Sequence, residues 1–206
     1  LSKPMEMISA NDFWDWFSAN SNKYYFLNDT DDETKEELMD SLLEKLHDYS
    51  TGLYFLVGGS PNEQQELIIT AEGNLAYFDD VTNLVNVAPK LEHWNVIAFV
   101  PAQGFEFKTQ YKTVELDPYK LWFLPLKNNE DAEKLGIRIG VSQVIPDAEQ
   151  ADFLTAAYIV LDTILGEQKA AEDIDYLDIQ QLPANFDELG YHELTSLAAY
   201  IDWFKS

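Results

Sequence analysis

Apolar positions recur along this chain at two spacings, and each predicts its own kind of element. The most apolar run is 152–167, DFLTAAYIVLDTILGE. At about 100° per residue, Phe153, Ala157, Val160 and Ile164 fall on one line, and Leu154, Tyr158, Leu161 and Leu165 on the next. Asp152, Thr155, Asp162 and Thr163 share what remains, with Ile159 among them. The pattern predicts a long apolar helix over about 152–165, packed on two sides, typically against a sheet. Gly166 fits the left-handed residue that ends such a helix.

Helical spacing recurs at Phe13, Trp16 and Phe17, with Trp14 beside them, and at Leu38, Leu42, Leu46 and Tyr49. It returns at Phe78, Val81, Leu84 and Val85, and at Leu194, Leu197, Ile201 and Phe204. Asn11 is placed to cap the first helix, and Thr30 with Glu33 has capping-box spacing for the second. Strand-like runs fall at 53–57, 66–70, 94–100, 105–109, 113–116, 121–126, 137–141 and 174–182. Pro125 demotes its run to an edge or a strand end. Residues 58–62, GGSPN, read as a hairpin loop and lack the Gly-Lys-Ser/Thr of a phosphate loop.

This order of elements predicts an α+β fold. The expected form is a single mixed, mostly antiparallel sheet, with the 152–165 helix packed on it and further helices around. The chain shows no internal repeat and no low-complexity linker. One domain over 1–206 is the expectation, with two sub-lobes dividing near residue 100 as its variant.

Charge changes the picture most. Lys and Arg number 13 against 37 Asp and Glu, a formal net charge of −24 over 206 residues. Phosphate recognition needs clustered cations, so this reading expects no nucleic acid and no anionic membrane surface as partner. A basic protein is the electrostatically favoured partner. The acid is also unevenly spread. Residues 106–138 balance six basic against six acidic side chains, whereas 147–193 hold twelve acidic against Lys169 alone. Nearer the start, Glu33, Glu36, Glu37, Asp40 and Glu44 share the outer side of the second helix. The candidate acidic binding surface is therefore Glu36, Glu37 and Asp40 near one end, with Glu172, Asp173 and Asp175 near the other.

The chain has no cysteine, which excludes disulfides, thiol catalysis and Cys-based zinc sites. No run reaches the roughly eighteen apolar residues of a membrane span. The start, LSKPMEMISAND, has no signal-peptide core, and a cytoplasmic location is expected. Leu1 in place of Met leaves room for a leader removed upstream.

Catalytic signals are thin. His47, His93 and His192 are far apart, and none has HExxH spacing. No G-x-S-x-G elbow exists. Asp162 with Glu167 is the candidate carboxylate pair. A half-buried carboxylate can serve as general acid or base, or bind a hard divalent ion. Asp173, Asp175 and Asp178 fail the EF-hand pattern, and no dedicated metal site or cofactor is expected. Tyr24, Tyr25, Trp94, Tyr119, Trp122, Phe123 and Tyr176 could line a ligand pocket, although such aromatics more often fill a core.

The stretches FWDWF, ELIITAEGN, APKLEHWNVIAFVPAQGF, ELDPYKLWFLPL and LDTILGE together resemble an uncharacterised family of acidic bacterial α/β proteins with no established activity. These stretches are helix stops, turns and core aromatics, so the resemblance implies a fold and no catalytic residues. The expected function is a non-catalytic, acidic protein-binding domain, immunity- or antitoxin-like, that contacts a basic partner. Two alternatives stand beside it. One is a hydrolase or lyase using Asp162 and Glu167 with a divalent ion. The other is a small-ligand module with an aromatic pocket. The sequence does not address the oligomeric state.

Overall fold

The structure is a computed structural model that describes residues 7–25, 27–59, 64–126 and 134–206. The chain divides into two compact units, residues 1–100 and 101–206.

The first unit opens with two helices, α1 (Ala10–Tyr25) and α2 (Asp32–Tyr49). Their caps are not the residues that spacing suggested. The Ser9 hydroxyl accepts from the Asp12 N–H at 3.2 Å, and the Asp12 carboxylate accepts from the Ser9 N–H at 2.9 Å. This reciprocal pair is the box that starts α1, and Asn11 lies inside the helix. Asp31 caps α2 by accepting from the Thr34 N–H at 2.9 Å. Thr30 donates back to the Leu27 carbonyl instead. A carboxylate suits the positive end of a helix better than a hydroxyl does.

Strands β1 (Tyr54–Gly58) and β2 (Gln65–Thr70) pair antiparallel. Part of the loop expected between them, 60–63, lies outside the described residues. Helix α3 (Phe78–Asn86) then carries the chain over to β3 (Trp94–Ala98), which pairs parallel with β2. Phe13, Trp14 and Phe17 of α1 are buried with Leu42 and Leu46 of α2, Leu67 and Ile69 of β2, and Leu84 of α3. The Trp14 indole N–H donates to the Leu84 carbonyl at 2.8 Å, and Phe17 meets Trp94 edge to face. The aromatic start of the chain therefore closes a core.

In the second unit β4 (Thr109–Tyr111) and β5 (Val114–Leu116) form a short hairpin. Strands β6 (Trp122–Leu126) and β7 (Leu135–Val141) pair antiparallel. Helices α4 (Gln150–Leu165) and α5 (Glu167–Asp173) cross over to β8 (Ile174–Gln181), parallel to β7. The chain closes with β9 (His192–Glu193) and α6 (Leu197–Phe204). The larger sheet has the order β8-β7-β6-β9. Strand β9 reaches only Trp122 and Phe123, so at Pro125 the flank of β6 away from β7 has no β9 partner. A residue without an N–H is tolerated there.

The α+β class holds, but the single sheet expected from the sequence does not. Among the described residues the strands form three sheets, of three, two and four strands. Residues 105–108, expected to start a strand, do not pair in a ladder, and Phe105 and Phe107 pack side-on against the core. The larger two sheets share one plan. An antiparallel hairpin is followed by a helical crossover and a third strand parallel to the hairpin's second strand. No sequence repeat announces it.

Helix α4 is not an apolar rod sunk into one sheet. Phe153, Ala156, Ala157, Val160, Leu161, Ile164 and Leu165 are buried, whereas Tyr158 is 48% and Ile159 39% exposed. Its neighbours are β4, β5 and β8, strands of two different sheets. One face is buried and one is wet, and apolar residues on a wet face are ordinary. Gly166 has φ +77° and ψ 159°, outside the left-handed helical region expected for it. Its N–H bonds the Asp162 carbonyl at 2.9 Å, and its carbonyl accepts from the Ala170 N–H at 3.0 Å. One glycine thus ends α4 and starts α5, in a conformation nearly closed to other residues. Gly166→Ala is expected to lower stability by about 1–3 kcal/mol, read as a lower urea midpoint at unchanged slope.

Candidate functional site

Helix α2 presents the clearest charged face. Leu42 and Leu46 are buried, while Glu36, Glu37, Asp40 and Glu44 are exposed on its outer side. Glu33–Glu37, Glu36–Asp40 and Asp40–Glu44 are like-charged pairs four residues apart, each costing about 0.2–0.5 kcal/mol. Lys45 is turned to Asp48 at 3.2 Å. Among the described residues no cation pairs with Glu36, Glu37, Asp40 or Glu44. At the other end of α2, the His47 Nε2 meets the Leu53 carbonyl at 3.0 Å, so that ring ties the helix to the residue before β1.

The second acidic group, in the other unit, is not one surface. Glu172 is exposed on α5 and accepts from Gln168 at 3.2 Å. Asp175 is exposed on β8. Asp173, expected beside them, is 5% exposed and holds the Lys205 ammonium. The hydrogen bond from Lys205 to Asp173 pushes the lysine pKa up. Asp173 is a buried tie for the chain's last helix, and it drops out of the binding surface. A buried carboxylate needs its cation, and that cation lies 32 residues away in sequence.

Asp162 and Glu167 flank Gly166. Asp162 sits on the exposed side of the last turn of α4, and Glu167, the first residue of α5, is 6% exposed. Loss of hydration beside the packed α4–α5 corner, then the negative charge of Glu167, push the Asp162 carboxyl up to about 6. The negative end of α4 acts in the same direction. Asp162 still touches solvent, so screening reduces the energetic weight of this shift. Among the described residues no three His, Cys, Asp or Glu side chains converge where they could hold a metal ion. Neither carboxylate lines the hollow of about 190 Å³ at the end of β7.

Three of the seven aromatics expected to line a pocket are core residues instead. Tyr24 is 1%, Trp94 6% and Phe123 0% exposed, all core, and the Tyr24 hydroxyl bonds the Leu38 carbonyl. Tyr119 and Tyr176 are exposed singly, and Tyr119 donates to Glu106 at 2.6 Å. No helix among the described residues is long and apolar enough to cross a membrane.

Because the folded-state value of Asp162 lies above the ordinary 3.8, the fold favours its protonated form. Its contribution is most favourable below about pH 3.8 and is lost as pH rises towards about 6. Asp162→Asn is expected to be more stable than the parent by about 1 kcal/mol at pH 7, after discounting for solvent. Parallel urea titrations should show this gap closing between pH 6 and 4, values bracketed by about 6 and 3.8. No family model, no curated protein and no solved structure matches the chain, so the likeness of its quoted stretches to acidic bacterial proteins carries no argument about the site.

Proposed function

We propose that this protein is a non-catalytic binding domain whose α2 face docks a basic protein. The observation that carries the reading is the exposed row Glu36, Glu37, Asp40 and Glu44, with which no cation pairs among the described residues. From Glu36 to Glu44 the row runs about two turns of helix and roughly 12 Å along its axis. A cationic surface laid along it relieves the like-charge repulsion within α2 and steers the encounter at long range. With a net charge of −24 behind it, the field favours any basic polypeptide, and the row supplies the register. An immunity- or antitoxin-like role fits, in which the acidic face covers the cationic surface of its partner. The reading also places the protein in the cytoplasm, beside such a partner.

The test is capture on immobilised full chain. Basic proteins should be retained at about 50 mM salt and released by about 500 mM, because exposed charges are screened over only a few ångströms there. Reversal of the row by Glu36→Lys, Glu37→Lys and Asp40→Lys should cut retention at least about tenfold, with far-UV circular dichroism unchanged. Retention that ignores both salt and this triple variant would rule the reading out.

A further inference from the structure

We propose that the hollow at the carboxyl end of β7 is a binding site for a small zwitterion of the α-amino acid class. Strand β7 ends at Val141, and the chain leaves through Ser142 towards the crossover helices. On its other side β6 is entered from the opposite direction, through Asp117 to Leu121. Chain segments that diverge at the carboxyl end of β7 leave a crevice there. This crevice measures about 190 Å³, room for roughly six water molecules.

Its floor is apolar. Leu116, Leu121 and Val141 line it and are at most 4% exposed. Its rim carries both signs of charge. Lys120 is the one cation among the lining residues, with Glu115 and Asp117 as the carboxylates and Ser142 adding a hydroxyl. The Lys120 side chain is 75% exposed, and its ammonium is only loosely held, 3.6 Å from Asp117. Glu115 is bound on one oxygen by Lys108 at 3.3 Å. Asp117 is engaged, with Oδ1 accepting from the Tyr119 N–H at 3.1 Å and Oδ2 facing Lys120, so the rim keeps its capacity for a ligand ammonium at the second oxygen of Glu115, and for a ligand carboxylate at Lys120 and Ser142. A short aliphatic side chain fits the floor.

Other ligand classes suit the site less well. A phosphate would face two carboxylates against one lysine. A divalent ion would lack a third protein ligand, since no such group exists among the described residues. A purely apolar molecule would strip water from the rim charges and return nothing. A zwitterion answers both signs at once. With so few atoms, its affinity belongs in the high-micromolar to millimolar range.

The probe is L-valine, titrated into the full chain while methyl resonances are followed by NMR. Saturable shifts are expected at the Val141 and Leu121 methyl groups. Isobutylamine, which lacks the carboxylate, and isovalerate, which lacks the ammonium, should bind at least about tenfold more weakly. Ser142→Leu fills the crevice from an exposed position, and Lys120→Gln removes its cation. Both should abolish the L-valine response while leaving the remaining methyl spectrum intact. Absence of saturable shifts with L-valine, equal binding of either analogue, or an unchanged response in Ser142→Leu would each overturn the assignment.

Discussion

A strand that runs parallel to its neighbour cannot be reached by a tight turn, and both larger sheets of this protein obey that constraint. In each, the second strand of an antiparallel hairpin also has a parallel partner, reached through helices. That strand becomes central and is covered by what crosses over it. Strand β7 is the stronger case, with six of its seven residues buried. A Cβ at Gly140 would lie 2.4 Å from the Leu182 side chain, so even an added methyl has no room. The exception is Arg138, half-buried, whose Nε reaches Asp178 at 2.7 Å on the residue directly opposite in β8. The ion pair sits across the parallel register and matches the pairing that the crossover imposes.

The rarity of cations decides where negative charge is left over. In the second unit Lys112 joins the β4–β5 hairpin to Asp152 of α4, and Lys169 and Lys205 of the α5–α6 region hold Asp202 and Asp173. Because the lysines of these pairs reach into solvent, screening keeps their contribution to stability small. Their larger consequence is positional. They neutralise acid where elements meet and leave α2, whose lysines are Lys35 and Lys45, the latter turned to Asp48, as the face with surplus charge. The proposed docking surface and the ties that hold the chain's last helix are thus two outcomes of the same shortage.

Much of the local architecture was legible in the chain. The apolar period that placed a helix near 152–165 reflects real burial of Phe153, Val160 and Ile164, and the run at 137–141 is the buried centre of a sheet. The edge or strand end expected from Pro125 holds only in part, since β6 lies between β7 and β9 but β9 stops short of Pro125. The caps were harder. Ser9 and Asp31 each compete with a neighbour of similar chemistry, and the choice depends on where the preceding turn leaves the backbone. Strand β9 has two residues, too few to carry any period. The partition into three sheets depends on long-range pairings that no local pattern encodes.

By itself the sequence determined what can be summed over neighbours along the chain: helical and strand periods, the absence of thiol chemistry, and the large negative charge. Only the tertiary structure decided which carboxylates face water. Glu172 and Asp173 are adjacent, yet one is exposed and the other lies against Lys205. Burial and pairing are properties of distant residues brought together. A carboxylate's role follows from the side chain that folding sets beside it, whatever residue precedes it in the chain.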